Sequence, residues 1–180
     1  MPNSCDLPLS GHTLSNPKNV KKPIQPPRQE KKEGDPPVIE LYHGTSRTHA
    51  TAMAGTLPNP GTINVTRGRG EFGRGCHTQD SVGNAFRRGL LLYGHNAAVL
   101  VLSIDSHAYH ALGFKRLTLN AARKLEAKLT GQGRRHTYTT ADDVMVGPLV
   151  GQPKIMQQKF QTPRAQALLN GSQTKRTVRP

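Results

Sequence analysis

Apolar side chains are sparse until Val38, and from there they recur in short blocks. Val38-Ile-Glu-Leu-Tyr42 reads as a short strand that runs into the polar turn His43-Gly-Thr-Ser46. Ser46 is placed to cap a helix over 47–55, with Gly55 at its stop. Pro58-Asn-Pro-Gly61 reads as a loop, and Thr66–Gly75 interleaves four glycines with Arg67, Arg69 and Arg74. Asp80 or Ser81 opens a helix expected to close near Gly89. Ala97–Asp105 is almost continuously apolar, the pattern of a strand covered on both faces. Leu119, Ala122, Leu125 and Leu129 share one side of a helix over 118–129. Asp143–Pro148 and Ile155–Phe160 read as strands. Thr162 caps a short helix over 163–170 that has Pro163 at its first position. Strands and helices mix without strict alternation and without an internal repeat, which predicts an α+β domain.

The polar segments at the two ends change the picture. Residues 1–37 are dense in Pro, Lys and Gln and nearly free of apolar side chains. Such a segment cannot offset the entropy of ordering, so a disordered tail or linker is expected there. The last ten residues, 171–180, read as a second, basic frayed end. The net charge of the chain is +14. The tail holds six Lys/Arg against four Asp/Glu, so +12 falls on the remainder. That excess is beyond what solubility requires and points to a polyanionic partner. Aromatics are only 4% of the chain, which gives little support to base stacking on single strands. No apolar run reaches the roughly 20 residues of a membrane helix, so no membrane partner is expected. The opening residues lack the charged and apolar regions of a signal peptide. Cys5 and Cys76 make no disulfide framework, and no Cys/His spacing fits a metal site.

Two segments carry candidate chemistry. Leu41-Tyr-His-Gly-Thr-Ser46 sets an imidazole at a strand end beside a glycine and two hydroxyls. A neutral imidazole donates once and accepts once, which suits a ribose hydroxyl pair, and Gly44 leaves room for close approach. A strand-to-helix turn with His43 bonded to a nearby carbonyl fits the same residues. Gly68-Arg-Gly-Glu-Phe-Gly-Arg-Gly75 would offer N–H groups and guanidiniums to phosphate, or serve only as a soluble loop. It is neither a P-loop nor a dinucleotide fingerprint. Cys76 with the histidines is a weak nucleophile signal, and adjacent Asp142 and Asp143 would point to opposite faces of a strand.

In order and spacing these segments resemble an ADP-ribosyltransferase of the diphtheria-toxin-like, His-Tyr-Glu class. More closely, they resemble the small toxin domains at the C-termini of bacterial polymorphic effectors. Leu41-Tyr-His-Gly-Thr-Ser46 resembles the opening motif, and Glu71-Phe-Gly-Arg-Gly-Cys-His-Thr-Gln-Asp80 the second. Asn84-Ala85 falls where the following helix carries a polar-alanine pair. Ala97–Asp105 matches the central apolar strand, and 143–148 with 157–162 the closing block. The likeness covers residues 38–170, which it implies are the catalytic domain. It implies an ADP-ribosyltransferase-like split antiparallel β-sandwich with short helices. NAD would be the substrate.

Carried over by resemblance, His43 would hold the adenosine-side ribose. Tyr42, Gly44 and Thr45 would line the NAD pocket, with the Gly44 backbone on the carboxamide. His77 would stand where a tyrosine stacks on nicotinamide, with Cys76 its neighbour if the register slips by one. Apart from the resemblance, Arg67, Arg69 and Arg74 are candidates for the pyrophosphate, and equally for a target. Gln157 would occupy the place of the catalytic glutamate, and Glu71 would be the substitute acid. Glutamine lacks the charge that stabilises an oxocarbenium ion, which is the main departure from the family pattern.

The expected activity is therefore mono-ADP-ribosyl transfer by a monomeric toxin or effector, secreted or delivered into a target cell and acting in its cytoplasm. The acceptor would be a protein or structured RNA or DNA, and a cognate immunity protein a further partner. Two other functions fit the residues. One is a basic nucleic-acid-binding or nuclease module with His43, His77 and His136 as acid-base groups. The other is an NAD glycohydrolase.

Overall fold

The computed structural model describes residues 37–55, 61–133 and 137–180. The tail expected over 1–37, apart from Pro37, lies outside the described residues, as do Cys5, most of the loop at 58–61, and His136. Nine strands and five α-helices are present among the described residues. The strands are β1 (Val38–Ser46), β2 (Arg69–Gly70), β3 (Gly73–Arg74), β4 (Cys76–Gln79), β5 (Ala97–Asp105), β6 (Phe114–Arg116), β7 (Val144–Pro148), β8 (Met156–Phe160) and β9 (Thr174–Arg179). The helices are α1 (Arg47–Met53), α2 (Val82–Tyr93), α3 (Ser106–His110), α4 (Leu119–Gly131) and α5 (Pro163–Asn170). Each helix starts at a side-chain cap. Ser46, Ser81, Asp105, Thr118 and Thr162 each accept from the backbone N–H three residues on. No described helix is long and apolar enough to cross a membrane.

Seven strands form one sheet in the order β6-β7-β8-β4-β1-β5-β9, antiparallel except for β6 beside β7. β2 and β3 pair separately. The chain is thus α+β, as the sequence pattern predicts. Pairing within the sheet is uneven. β1 lies along β5 from Val38↔Asp105 to Ser46↔Ala97, whereas β1 and β4 meet at the single pair Tyr42↔Gln79. The sheet is therefore two blocks, β9-β5-β1 and β4-β8-β7-β6, joined at one seam.

Side-chain alternation gives the sheet two unlike faces. One carries the main core: Leu41, Leu100, Leu102, Ile104, Cys76, Val144 and Phe160 pack under α1, α3 and α5. The other carries two smaller clusters. Val99, Val101 and Tyr42 meet Ala85 and Phe86 of α2, and Met145 meets Phe72 and Ala122 of α4. The contact of α2 with β1 depends on Gly44, because a Cβ there would stand 1.9 Å from the Ala85 carbonyl oxygen and 3.0 Å from the Gly89 nitrogen.

Several expectations need correction. The turn expected at His43–Ser46 is strand, because these residues continue the β5 ladder to Ala97. Helix α2 does not stop at Gly89, which is buried in the contact with β1. It ends at Gly94, whose φ of 56° only glycine takes easily, and it leaves Leu90, Leu91, Leu92 and Tyr93 exposed. Residues 171–180 are not frayed: β9 pairs with β5 from Thr174↔Ile104 to Arg179↔Val99. Strands β2, β3, β4 and β6 and helix α3 were not expected either.

Candidate functional site

The seam between β1 and β4 is where most of the predicted site residues gather. Register defines a row across the sheet: Val101, Tyr42, Gln79, Gln157 and Gly147, on β5, β1, β4, β8 and β7. Next to it on the same face run His77, Lys159 and Met145. This face lies between the α2 and α4 clusters, so polar side chains occupy a strip with apolar packing on either side.

His77 is held at both ring nitrogens. Its Nε2 lies 2.9 Å from the Gly73 carbonyl oxygen and its Nδ1 3.3 Å from the Gln157 amide. The ring also packs on the α-carbon of Gly70, where a Cβ would come within 2.6 Å. Burial pushes the His77 pKa down to about 4, with Lys159 and His43 adding to the effect. The ring is therefore neutral at neutral pH. It is braced by the glycine-rich turn rather than presented as a bare stacking platform.

His43 lies out of phase with this row. Alternation sets it on the main-core side with Leu41, opposite Leu100. It reaches the seam through its Nδ1, which donates to the His77 carbonyl oxygen at 2.6 Å. Burial lowers its pKa, so its Nε2 is the lone-pair nitrogen of a neutral ring. The carbonyl partner is the plainer of the two roles that the sequence allowed. The structure thus brings His77, Gln157, Tyr42 and the Gly70–Gly73 turn to one face and joins His43 to them through the backbone.

Other predicted residues have separate places. Cys76 faces the main core, and burial raises its thiol pKa to about 12, so it is neither a nucleophile nor a neighbour of the row. Thr45 is buried. Gly44 receives helix α2 at the point where close approach of a ligand was expected. Glu71 accepts from the Val150 N–H at 2.8 Å, which ties its carboxylate to the segment between β7 and β8. Asp143 is structural: it accepts from Gly113 N–H at 2.9 Å and from the Thr162 hydroxyl, and lies 3.5 Å from Arg164. Arg74 stands on β3, and the side chain of Arg69 lies outside what is described.

Among the described residues, four buried side-chain polar atoms have no protein partner: Arg74 Nε, Thr78 Oγ1, Gln79 Oε1 and Gln157 Nε2. All four residues are on β3, β4 or β8, and Gln79 and Gln157 are direct cross-strand partners. Unpartnered buried polar atoms are costly and rare, so the Gln79–Gln157 pair on the row marks it chemically, while Thr78 faces the other side of the sheet. Hollows of about 380 and 330 Å³ lie elsewhere, the first beside Ser103 and Lys175, the second beside Leu112 and Arg164. Neither is lined by a residue of the seam.

Sequence reasoning missed two residues here. Lys159 is fully buried, and its Nζ donates to the Phe72 carbonyl at 2.8 Å and the Tyr138 carbonyl at 3.4 Å. Burial, with Arg74 and Lys115 nearby, lowers its pKa to about 7. A lysine among twenty-five basic residues gives no sequence signal of burial. Gln79 was hidden in the same way, since only the β4–β8 register places it opposite Gln157. Among the described residues no group of three or more His, Cys, Asp and Glu side chains is placed to hold a metal ion. No family model matches the chain, and no curated protein matches it.

Proposed function

We propose that this domain is a mono-ADP-ribosyltransferase of the toxin type, built on an ADP-ribosyltransferase-like split β-sandwich. It would break the bond between nicotinamide and ribose in NAD. The electron pair leaves with nicotinamide, and C1′ of the ribose is captured by a nucleophile of a macromolecular acceptor, whose proton passes to solvent. The observation that carries this reading is the seam. A sheet in two blocks, joined at Tyr42↔Gln79, gathers His43, His77 and Gln157 in hydrogen-bonded succession, with the unpartnered buried amide atoms of Gln79 and Gln157 on the row.

In this reading Tyr42, Gln79 and Gln157 form the bed for the nicotinamide ribose. Arg74, whose Nε is unpartnered, would meet the pyrophosphate. His43 Nε2 would accept from a ribose hydroxyl at the far side of the seam. With no carboxylate at 157, rate acceleration would come from holding NAD in position and from neutral dipoles aimed at the developing cation. The charge of +14 favours structured RNA or DNA as acceptor. Delivery into a target cell's cytoplasm, and an inhibitor protein to protect the producer, belong to the same proposal.

The nuclease alternative is weaker, because a histidine with a pKa near 4 is a poor general acid at neutral pH. The test is to incubate the protein with NAD labelled in its ADP-ribose portion and with separate protein and RNA fractions, measuring nicotinamide release and label transfer. We expect released nicotinamide and labelled RNA. Gln157→Glu should raise nicotinamide release and His43→Ala should abolish NAD binding. Label on protein alone removes the nucleic-acid acceptor. Free ADP-ribose without labelled macromolecule makes the enzyme a glycohydrolase, and no nicotinamide from either wild type or Gln157→Glu ends the reading.

A further inference from the structure

The contacts of His77 contain a conflict whose resolution assigns the ring a role. A neutral imidazole carries one N–H. The Gly73 carbonyl oxygen can only accept, and it lies 2.9 Å from Nε2, closer than the 3.3 Å contact at Nδ1. The proton therefore belongs on Nε2, and Nδ1 presents a lone pair. The Gln157 atom facing that lone pair is Oε1, also an acceptor, while Nε2 of the same amide is buried without a partner. A half-turn of the amide about its terminal bond removes the acceptor–acceptor contact. The amide nitrogen then donates to His77 Nδ1, and the carbonyl oxygen takes the buried position without a protein partner that the nitrogen had held.

We propose that His77 is a positioning residue: fixed as the Nε2–H tautomer by Gly73, it grips Gln157 by the amide nitrogen and leaves the Gln157 carbonyl oxygen free for ligand. The orientation decides the chemistry. A carbonyl oxygen accepts from a ribose hydroxyl and faces a developing positive charge favourably, whereas an amide nitrogen there could only donate to the hydroxyl and would oppose the charge. The glycine-rich turn takes part, since Gly73 supplies the carbonyl and Gly70 lets the ring lie against the backbone. The groups facing His77 are Lys159 across β8 and His43 at the seam, and both disfavour a second proton on the ring. The catalytic consequence rests on the NAD-cleaving reading above; the tautomer and the amide orientation do not.

The experiment is long-range ¹H–¹⁵N NMR on the ring nitrogens of the full chain, without ligand, between about pH 5 and 8. We expect His77 as the Nε2–H tautomer, without titration in that range. In Gln157→Glu the carboxylate cannot donate to Nδ1, so His77 should gain a proton there and its pKa should rise by at least about one pH unit. A wild-type ring protonated on Nδ1, or identical His77 titration in both proteins, overturns the proposal whatever the activity is. A second arm uses His77→Phe, which can stack but cannot grip an amide. Its kcat for nicotinamide release should fall about tenfold or more with KM for NAD unchanged within about twofold. Wild-type kcat in that variant overturns the catalytic consequence. Absence of turnover in the wild type would end the NAD reading and leave the NMR result to stand or fall alone.

Discussion

Lys159→Met should change how stability depends on pH. The native pKa of Lys159 is about 7, against 10.5 for the free side chain. Between these values the unfolded chain binds one more proton than the folded one, so wild-type stability rises with pH. Below about pH 7 the full cost of burying the ammonium is present, and above about pH 10.5 it is gone. At about 1.4 kcal/mol per pH unit the whole effect is roughly 5 kcal/mol, of which about 2–3 kcal/mol falls between pH 6 and 9. Methionine carries no proton to lose. It also removes the Lys159 donor from the Phe72 carbonyl, while the Tyr138 carbonyl keeps the Arg74 N–H at 3.1 Å. The unpartnered carbonyl costs about 1–3 kcal/mol, but equally at every pH. The diagnostic is therefore the difference between the two proteins, not either curve alone. Urea unfolding of both, at about pH 6, 7.5 and 9, should show wild type gaining roughly 2–3 kcal/mol on the variant. A difference that stays flat within about 0.5 kcal/mol would mean that Lys159 is hydrated or paired in the native state, and the account of its burial would be wrong.

Two further outcomes follow from packing. In a Cys5→Ser background, Cys76 should resist alkylation in the native protein and react on unfolding, since burial holds its thiol near pKa 12; rapid native labelling would contradict its place in the core. Gly44→Ala should destabilise the domain by about 3 kcal/mol or more in thermal or urea unfolding, because the new methyl overlaps the Ala85 carbonyl; near-wild-type stability would show that α2 can move off β1 without loss.

What the sequence showed and what it hid divide by the range of the interaction. β5 was legible to the residue because its apolar run is local and ends at Asp105, which caps α3. Helix α5 was legible for the same reason, through Thr162 and Pro163. Strand β9 was not. Its Lys175, Arg176 and Arg179 read as a solvated tail, and only the ladder to β5 makes it a strand. At the site, His77 and Gln157 were named only through the family resemblance, and their contact bridges 80 residues and depends on β4–β8 register. The face of His43 was lost with the turn expected there, because a strand running on to Ser46 fixes which way its side chain points. The role of Gly44 was misassigned for a similar reason: a glycine shows that something comes close, not whether it is a ligand or a helix.

Strand β9 has a consequence for how copies of this protein meet one another. It covers β5 along 99–104, the most apolar strand of the sheet, and so keeps that strand's free hydrogen-bonding edge from recruiting a strand of another molecule. The edge left in its place is itself defended. Lys175 and Arg179 project into water, and a second β9 laid against the first would bring like charges together. Ionic strength weakens that repulsion but leaves the backbone edge unchanged. Storage in concentrated salt would therefore favour edge-to-edge fibrils, and dilute buffer would keep the molecules apart.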